Sequence, residues 1–156
     1  MKGCGFMYEK SIVHHIAKWV IDIMFYCGIV CTLLVPFTIG GLLKYFSYSP
    51  QSEAVYRVTL TLAGACAVYI LFNIKGMYKT LLDGSPFVDE NVAAFRRMAV
   101  AAALVCVIFI VQVILAFTVG SLVIAMIFAI ACLFCLTLKD LFKQAINYKT
   151  ENDLTI

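Results

Sequence analysis

The chain has 156 residues, of which 63% are hydrophobic and 13% charged, with a formal net charge of +3. A soluble domain of this size has too little interior to hide that much apolar surface, so the composition points to an integral membrane protein. The small positive balance reflects where the basic residues sit rather than a surface for nucleic acid.

From Tyr8 to Trp19, charged and apolar residues mix at helical spacing, with Ile12, Ile16 and Trp19 on one side and Lys10, His14 and Lys18 toward another. That pattern predicts a short interfacial helix whose basic side lies near anionic headgroups. His14-His15 reads as a solvated interfacial pair, with a pH sensor or half a metal site as the alternative.

The first predicted span covers 20–43. It is too long for the apolar core of a cleavable signal, and no small-residue cleavage pattern precedes Lys44, so it is expected to remain as a span. Pro36 removes one helical hydrogen bond and should kink the helix near Cys31-Thr32, and Gly40-Gly41 loosens its exit. Asp22 lies about one turn below Trp19. An intramembrane carboxylate costs about 3 kcal/mol on insertion scales unless shallow, paired or wetted. Headgroup water, Lys75, Arg96 or Arg97 would each serve, which makes Asp22 a structural ion-pair partner or, alternatively, a proton or ion relay.

The loop from Tyr45 to Tyr56 is aromatic, suited to the headgroup belt and too short for a receptor domain. A second span follows over 58–74, with Asn73 near its inner end. The middle loop, 75–97, is the most patterned stretch. Asp83-Gly84 is a turn signal, Pro86 enforces extension before it, and Asp89-Glu90 place negative charge at the start of the next helix. Phe87 is positioned to pack as a staple on that helix's first turns.

The apolar run from Met98 to Leu138 is broken by Gln112 and the pair Gly120-Ser121. At 1.5 Å per residue it is roughly twice what one span needs, so it divides into spans at 98–119 and 122–138 that turn at Gly120-Ser121. Asn73 and Gln112 are each expected to make an interhelical hydrogen bond worth about 1 kcal/mol. The tail, 139–156, continues as a helix with Leu138, Leu141, Phe142, Ala145 and Ile146 on one side, then ends extended at Asp153-Leu154-Thr155-Ile156. An apolar terminus with a free carboxylate suits capture by a partner's groove or sheet edge; fraying or packing on the middle loop is the plainer reading.

Six of the seven cysteines, Cys27, Cys31, Cys66, Cys106, Cys132 and Cys135, fall inside predicted spans, whereas Cys4 does not. They suit helix packing in lipid, and no structural disulfide is expected. Ala63/Ala67, Ala99/Ala103 and Ala125/Ala129 repeat at four-residue spacing and support a compact bundle. Ten of the twelve Lys and Arg residues lie in the amino-terminal segment, the middle loop and the tail. Both termini and that loop are therefore expected in the cytoplasm. The fold expected is all-α: a single domain, 1–156, forming an integral membrane four-helix bundle.

Gly84-x-Pro86-Phe87, then Glu90-Asn91 and a basic turn, together with the terminal Glu151-Asn152-Asp153-Leu154-Thr155-Ile156, resembles a bacterial membrane family known as domain of unknown function 2975. The resemblance covers essentially the whole chain. Phe95 stands before Arg96 where the family implies an aliphatic residue. The family implies no established activity, but its members look like products encoded beside small helix-turn-helix regulators.

Function is therefore expected to be regulatory or scaffolding. The docking residues would be Pro86, Phe87, Glu90, Asn91, Asp153, Leu154, Thr155 and Ile156, and the partner a cytoplasmic protein such as such a regulator. A small transporter or channel subunit with Asp22 as coupling group is the alternative. No convergent nucleophile, acid/base pair or ligand set points to an enzyme, a cofactor or a metal, and no direct nucleic-acid binding is expected. The lipid bilayer is the certain environment, and a homo-oligomer is compatible with the pattern.

Overall fold

The computed structural model describes residues 12–45, 50–82 and 87–154. Those residues form four helices: α1 (Ile12–Tyr45), α2 (Pro50–Leu82), α3 (Asp89–Leu115) and α4 (Val119–Leu154), with no strand among them. The stretches Ile16–Leu42, Glu53–Leu82, Asp89–Leu115 and Val119–Asn152 are each long and apolar enough to cross a membrane. A span needs about 20 residues, so every helix either tilts or projects into the headgroup layer.

Several helix ends differ from the pattern-based expectation because propagating a helix adds one hydrogen bond per residue fixed, and nothing in the sequence stops it. α1 runs unbroken from Ile12 through Pro36, so no separate interfacial helix precedes it within the described residues. α2 begins at Pro50, whose fixed φ suits a first helical turn, carries Glu53 in that turn, and continues to Leu82 with Lys79 in the last one. α4 extends to Leu154 without interruption, so Asp153-Leu154 end a helix rather than forming an extended terminus. Residues 83–86 and Thr155-Ile156 lie outside the described residues.

The turn expected at Gly120-Ser121 occurs at 116–118 instead. Ala116 leaves the helix with φ −148° and ψ 84°, and its N–H closes onto the Gln112 carbonyl at 2.7 Å. Thr118 then opens α4, its carbonyl accepting from the Leu122 N–H, while its hydroxyl pairs with the Tyr56 phenol of α2. Gly120 and Ser121 fall inside the first turn of α4, and Ser121 is buried.

The helices pack only with their sequence neighbours: α1 on α2, α2 on α3 and α3 on α4. The result is a row of antiparallel helices rather than a closed four-helix bundle. α3 is an inner member of the row, which explains its concentration of buried residues, including Ala94, Ala99, Ala101, Ala102 and Val105. Small side chains let its neighbours approach closely, and packing is what drives helix association where lipid is as apolar as leucine. The innermost cluster, Val105, Phe109 and Ala125, is joined by Leu60, Ala63 and Cys66 of α2 and by Ile124 and Phe128 of α4.

The α1–α2 contact is set by two glycines. A Cβ at Gly64 would fall 2.8 Å from Thr32 Oγ1, and one at Gly28 would touch Val68 and Leu71 at 3.5 Å. The Thr32 hydroxyl donates to the Gly28 carbonyl at 2.8 Å, which folds its polar atom back onto its own helix. The outer faces of α1 and α4 carry large exposed apolar side chains, among them Phe37, Leu33, Ile130 and Leu133. In water they would form a patch far beyond what a monomer tolerates; in a bilayer they meet acyl chains.

Candidate functional site

Antiparallel packing brings the start of α1, the end of α2, the start of α3 and the far half of α4 to one end of the molecule. Here the Asp22 carboxylate of α1 meets the Lys75 ammonium of α2 at 2.8 Å. Lys75 Nζ also stands 5.3 Å from the Phe25 ring centre and 5.2 Å from that of Tyr26. A carboxylate and two aromatic faces together hold one ammonium. Of the bases expected within reach of Asp22, it is Lys75 that pairs with it.

Asn73, two residues before Lys75, is buried but donates its amide to the Tyr69 carbonyl of its own helix at 2.8 Å, not across to a neighbour as expected. The side-chain nitrogen is within reach of the carbonyl four residues back, and that local bond wins over a longer interhelical one. Gln112 belongs to the opposite half of α3. It is 1% exposed, and its Oε1 has no hydrogen-bond partner, so the interhelical bond expected there is not made by that atom.

α2 and α3 are pinned by Thr80 and Asn91. Asn91 Nδ2 donates to the Thr80 hydroxyl at 2.9 Å, and that hydroxyl has the Met77 carbonyl 2.7 Å away to receive its proton. At 4% exposure Asn91 is interior and faces α2. The α3 amino terminus has no side-chain cap, and Asp89 and Glu90 in the first turn oppose its dipole instead.

Phe87 reaches α4. Its ring packs on Phe142 of α4 with centres 5.4 Å apart, and Phe95 meets the same ring at 5.0 Å. Three rings from the joint, the base of α3 and the α4 extension thus form one contact, which gives the aromatic at position 95 its physical use. Phe87 remains 46% exposed and Glu90 is also exposed. Asp153 and Leu154 lie in the last helical turn of α4, some distance along the chain from these rings; Pro86, Thr155 and Ile156 lie outside the described residues.

Between α1, α2 and α3 opens a cleft of about 780 Å³ whose lining includes Lys18, Asp22, Lys75, Lys79, Glu90 and Arg97. It exists because α1 and α3 both pack on α2 without touching each other. Sequence reasoning used these cations to orient the chain, with Lys75 and Arg97 also as candidate partners of Asp22, and missed that they line one cleft. The signal was present in Lys75 and Lys79 at i, i+4, but the contribution of α1 and α3 depends on interhelical register.

The six described cysteines are free thiols; Cys27 and Cys31 lie 3.9 Å apart at their sulfurs on α1, and no group of three or more potential metal ligands forms among the described residues.

Residues 13–156 match the family described as "Protein of unknown function (DUF2975)". Comparison with curated proteins and with solved structures gives no match.

Proposed function

We propose that this chain, which belongs to the DUF2975 family of proteins of unknown function, is a multi-pass bacterial inner-membrane scaffold that holds a cytoplasmic regulatory protein at the membrane. The partner we assign is a small helix-turn-helix transcription regulator. Both termini and the 83–88 joint face the cytoplasm in this reading, supported by the ten Lys and Arg residues that gather at that end.

The observation that carries the reading is the stack of Phe87 and Phe95 on Phe142. It ties the joint to the far half of α4 and so gives the cytoplasmic end a fixed shape. From the stack α4 continues to Leu154; Leu141, beside Phe142, and Tyr148 are exposed, in a stretch that also carries Lys143 and Lys149. A helix that leaves the bilayer and exposes apolar side chains among charges fits helix-in-groove recognition. The bilayer covers the outer faces of α1 and α4, and a homo-oligomer would bury the same faces. No catalysis is assigned, since Asp22, Lys75, Thr80 and Asn91 are engaged with one another.

Affinity capture from gently solubilised membranes tests the proposal, comparing the full chain with one ended after Leu138 and with Phe142→Ala. A helix-turn-helix protein should be retained by the full chain, lost on truncation and reduced by Phe142→Ala. Retention of the same proteins by all three chains overturns the reading. The alternative, a transporter subunit coupled through Asp22, is favoured only by that carboxylate's place in the cleft. It requires Asp22→Asn to change proton or cation flux in vesicles, whereas the scaffold reading expects equal flux.

A further inference from the structure

The cleft at the basic end does not stop at its charged lining. A second, largely apolar cavity of about 410 Å³, whose lining includes Ala65, Cys66, Val100, Leu104 and also Arg96, shares Arg97 with it. Tyr69 and Asn73 on α2 follow at four-residue spacing, as do Ala101 and Arg97 on α3, with Ala94 three residues beyond. That spacing keeps all of them on one side of their helices, so the charged mouth and the apolar cavity adjoin at Arg97. From Arg97 to Leu104 the cavity descends ~10 Å along α3.

The mouth carries four cations, Lys18, Lys75, Lys79 and Arg97, against two carboxylates, Asp22 and Glu90. Asp22 is taken up by Lys75. Among the described residues Lys18, Lys79 and Arg97 enter no ion pair, so the mouth keeps an excess of positive charge. We propose that the mouth and the apolar cavity together bind an anionic phospholipid of the adjoining leaflet, its phosphate held by Arg97 and Lys79 and one acyl chain lying along Val100 and Leu104.

The chemistry fits such an occupant at both ends. Phosphate oxygens accept charge-assisted hydrogen bonds from guanidinium and ammonium groups, and basic pockets between membrane helices take anionic headgroups. A zwitterionic lipid would bring its own cation toward Lys79 and Arg97, and free phosphate would leave the apolar floor unused. The site requires no cytoplasmic partner, so it stands or falls independently of the scaffold reading.

Native mass spectrometry of the purified full chain, loaded with phosphatidylglycerol or phosphatidylcholine of equal chain length, tests the site. Phosphatidylglycerol should be retained about tenfold over phosphatidylcholine, and Arg97→Gln and Lys79→Gln should each weaken it about fivefold, the worth of one basic residue near an anionic lipid. Lys143→Gln, which removes one charge outside the site, should leave retention unchanged. Leu104→Trp, which fills the floor without changing charge, should weaken it. Equal retention of the two lipids, an equal loss with Lys143→Gln, unchanged retention with Leu104→Trp, or displacement by inorganic phosphate at matching concentration would each overturn the proposal.

Discussion

The Asp22 carboxylate of α1 and the Lys75 ammonium of α2 meet at 2.8 Å, with the Phe25 and Tyr26 rings beside the same ammonium. This contact offsets the cost of a carboxylate in a span, because the charge is paired. Lys75 is 38% and Asp22 30% exposed, so the pair is only half-buried and its coupling is modest.

A double-mutant cycle measures that coupling. Asp22→Asn and Lys75→Met, separately and together, should give an interaction of about 0.5–1 kcal/mol in unfolding from detergent micelles. A coupling indistinguishable from zero would show that α1 is held to α2 by packing alone.

Gly64 sets the distance between those helices. Gly64→Ala puts a methyl 2.8 Å from Thr32 Oγ1 and 3.1 Å from its Cγ2, so the Thr32 side chain must turn or the helices part, at a cost of about 1–3 kcal/mol. Removing both Thr32 atoms makes room, and Gly64→Ala should cost measurably less in a Thr32→Ala background. Equal costs in both backgrounds would sink the close-contact explanation.

Asn91 and Thr80 form a buried polar pair between α2 and α3. Asn91→Ala should lower stability by about 1–3 kcal/mol, because it removes the partner the Thr80 hydroxyl accepts from and opens a cavity. Asn91→Leu with Thr80→Val should recover part of that loss in thermal unfolding, since both polar groups then leave together.

Gln112 gives the opposite sign. Its Oε1 is buried without a partner, a desolvation penalty that Gln112→Met abolishes at similar volume. The variant should unfold at a higher temperature, by about 1 kcal/mol of added stability. A lower midpoint would mean that the amide has a partner in the folded protein.

How far the sequence reaches is clearest at single residues. Asp22 was legible as a carboxylate needing a base, but Lys75, Arg96 and Arg97 were equally placed until the α1–α2 register chose Lys75. Asn73 and Gln112 were legible as polar intrusions, yet one satisfies itself on its own helix and the other leaves an oxygen alone. Phe87 was legible as an apolar residue at a helix start, and its partner, Phe142, lies 55 positions away on α4. Of the cation-lined cleft only Lys75 and Lys79 at i, i+4 were legible, since the rest is a gap between two helices that do not touch.

What the amino-acid order determined alone is the number of spans and the separation of basic from apolar segments. Both follow from local physics, because each helix satisfies its own backbone bonds and each residue bears its own cost in lipid. The tertiary structure decided which faces pack, that the helices stand in a row, and which polar groups converge. Apolarity carries no such information where every face is greasy and the solvent is greasy too; steric fit at Gly64, Ala101 and Phe142, with the polar pairs Asp22–Lys75 and Thr80–Asn91, distinguishes a neighbour from lipid.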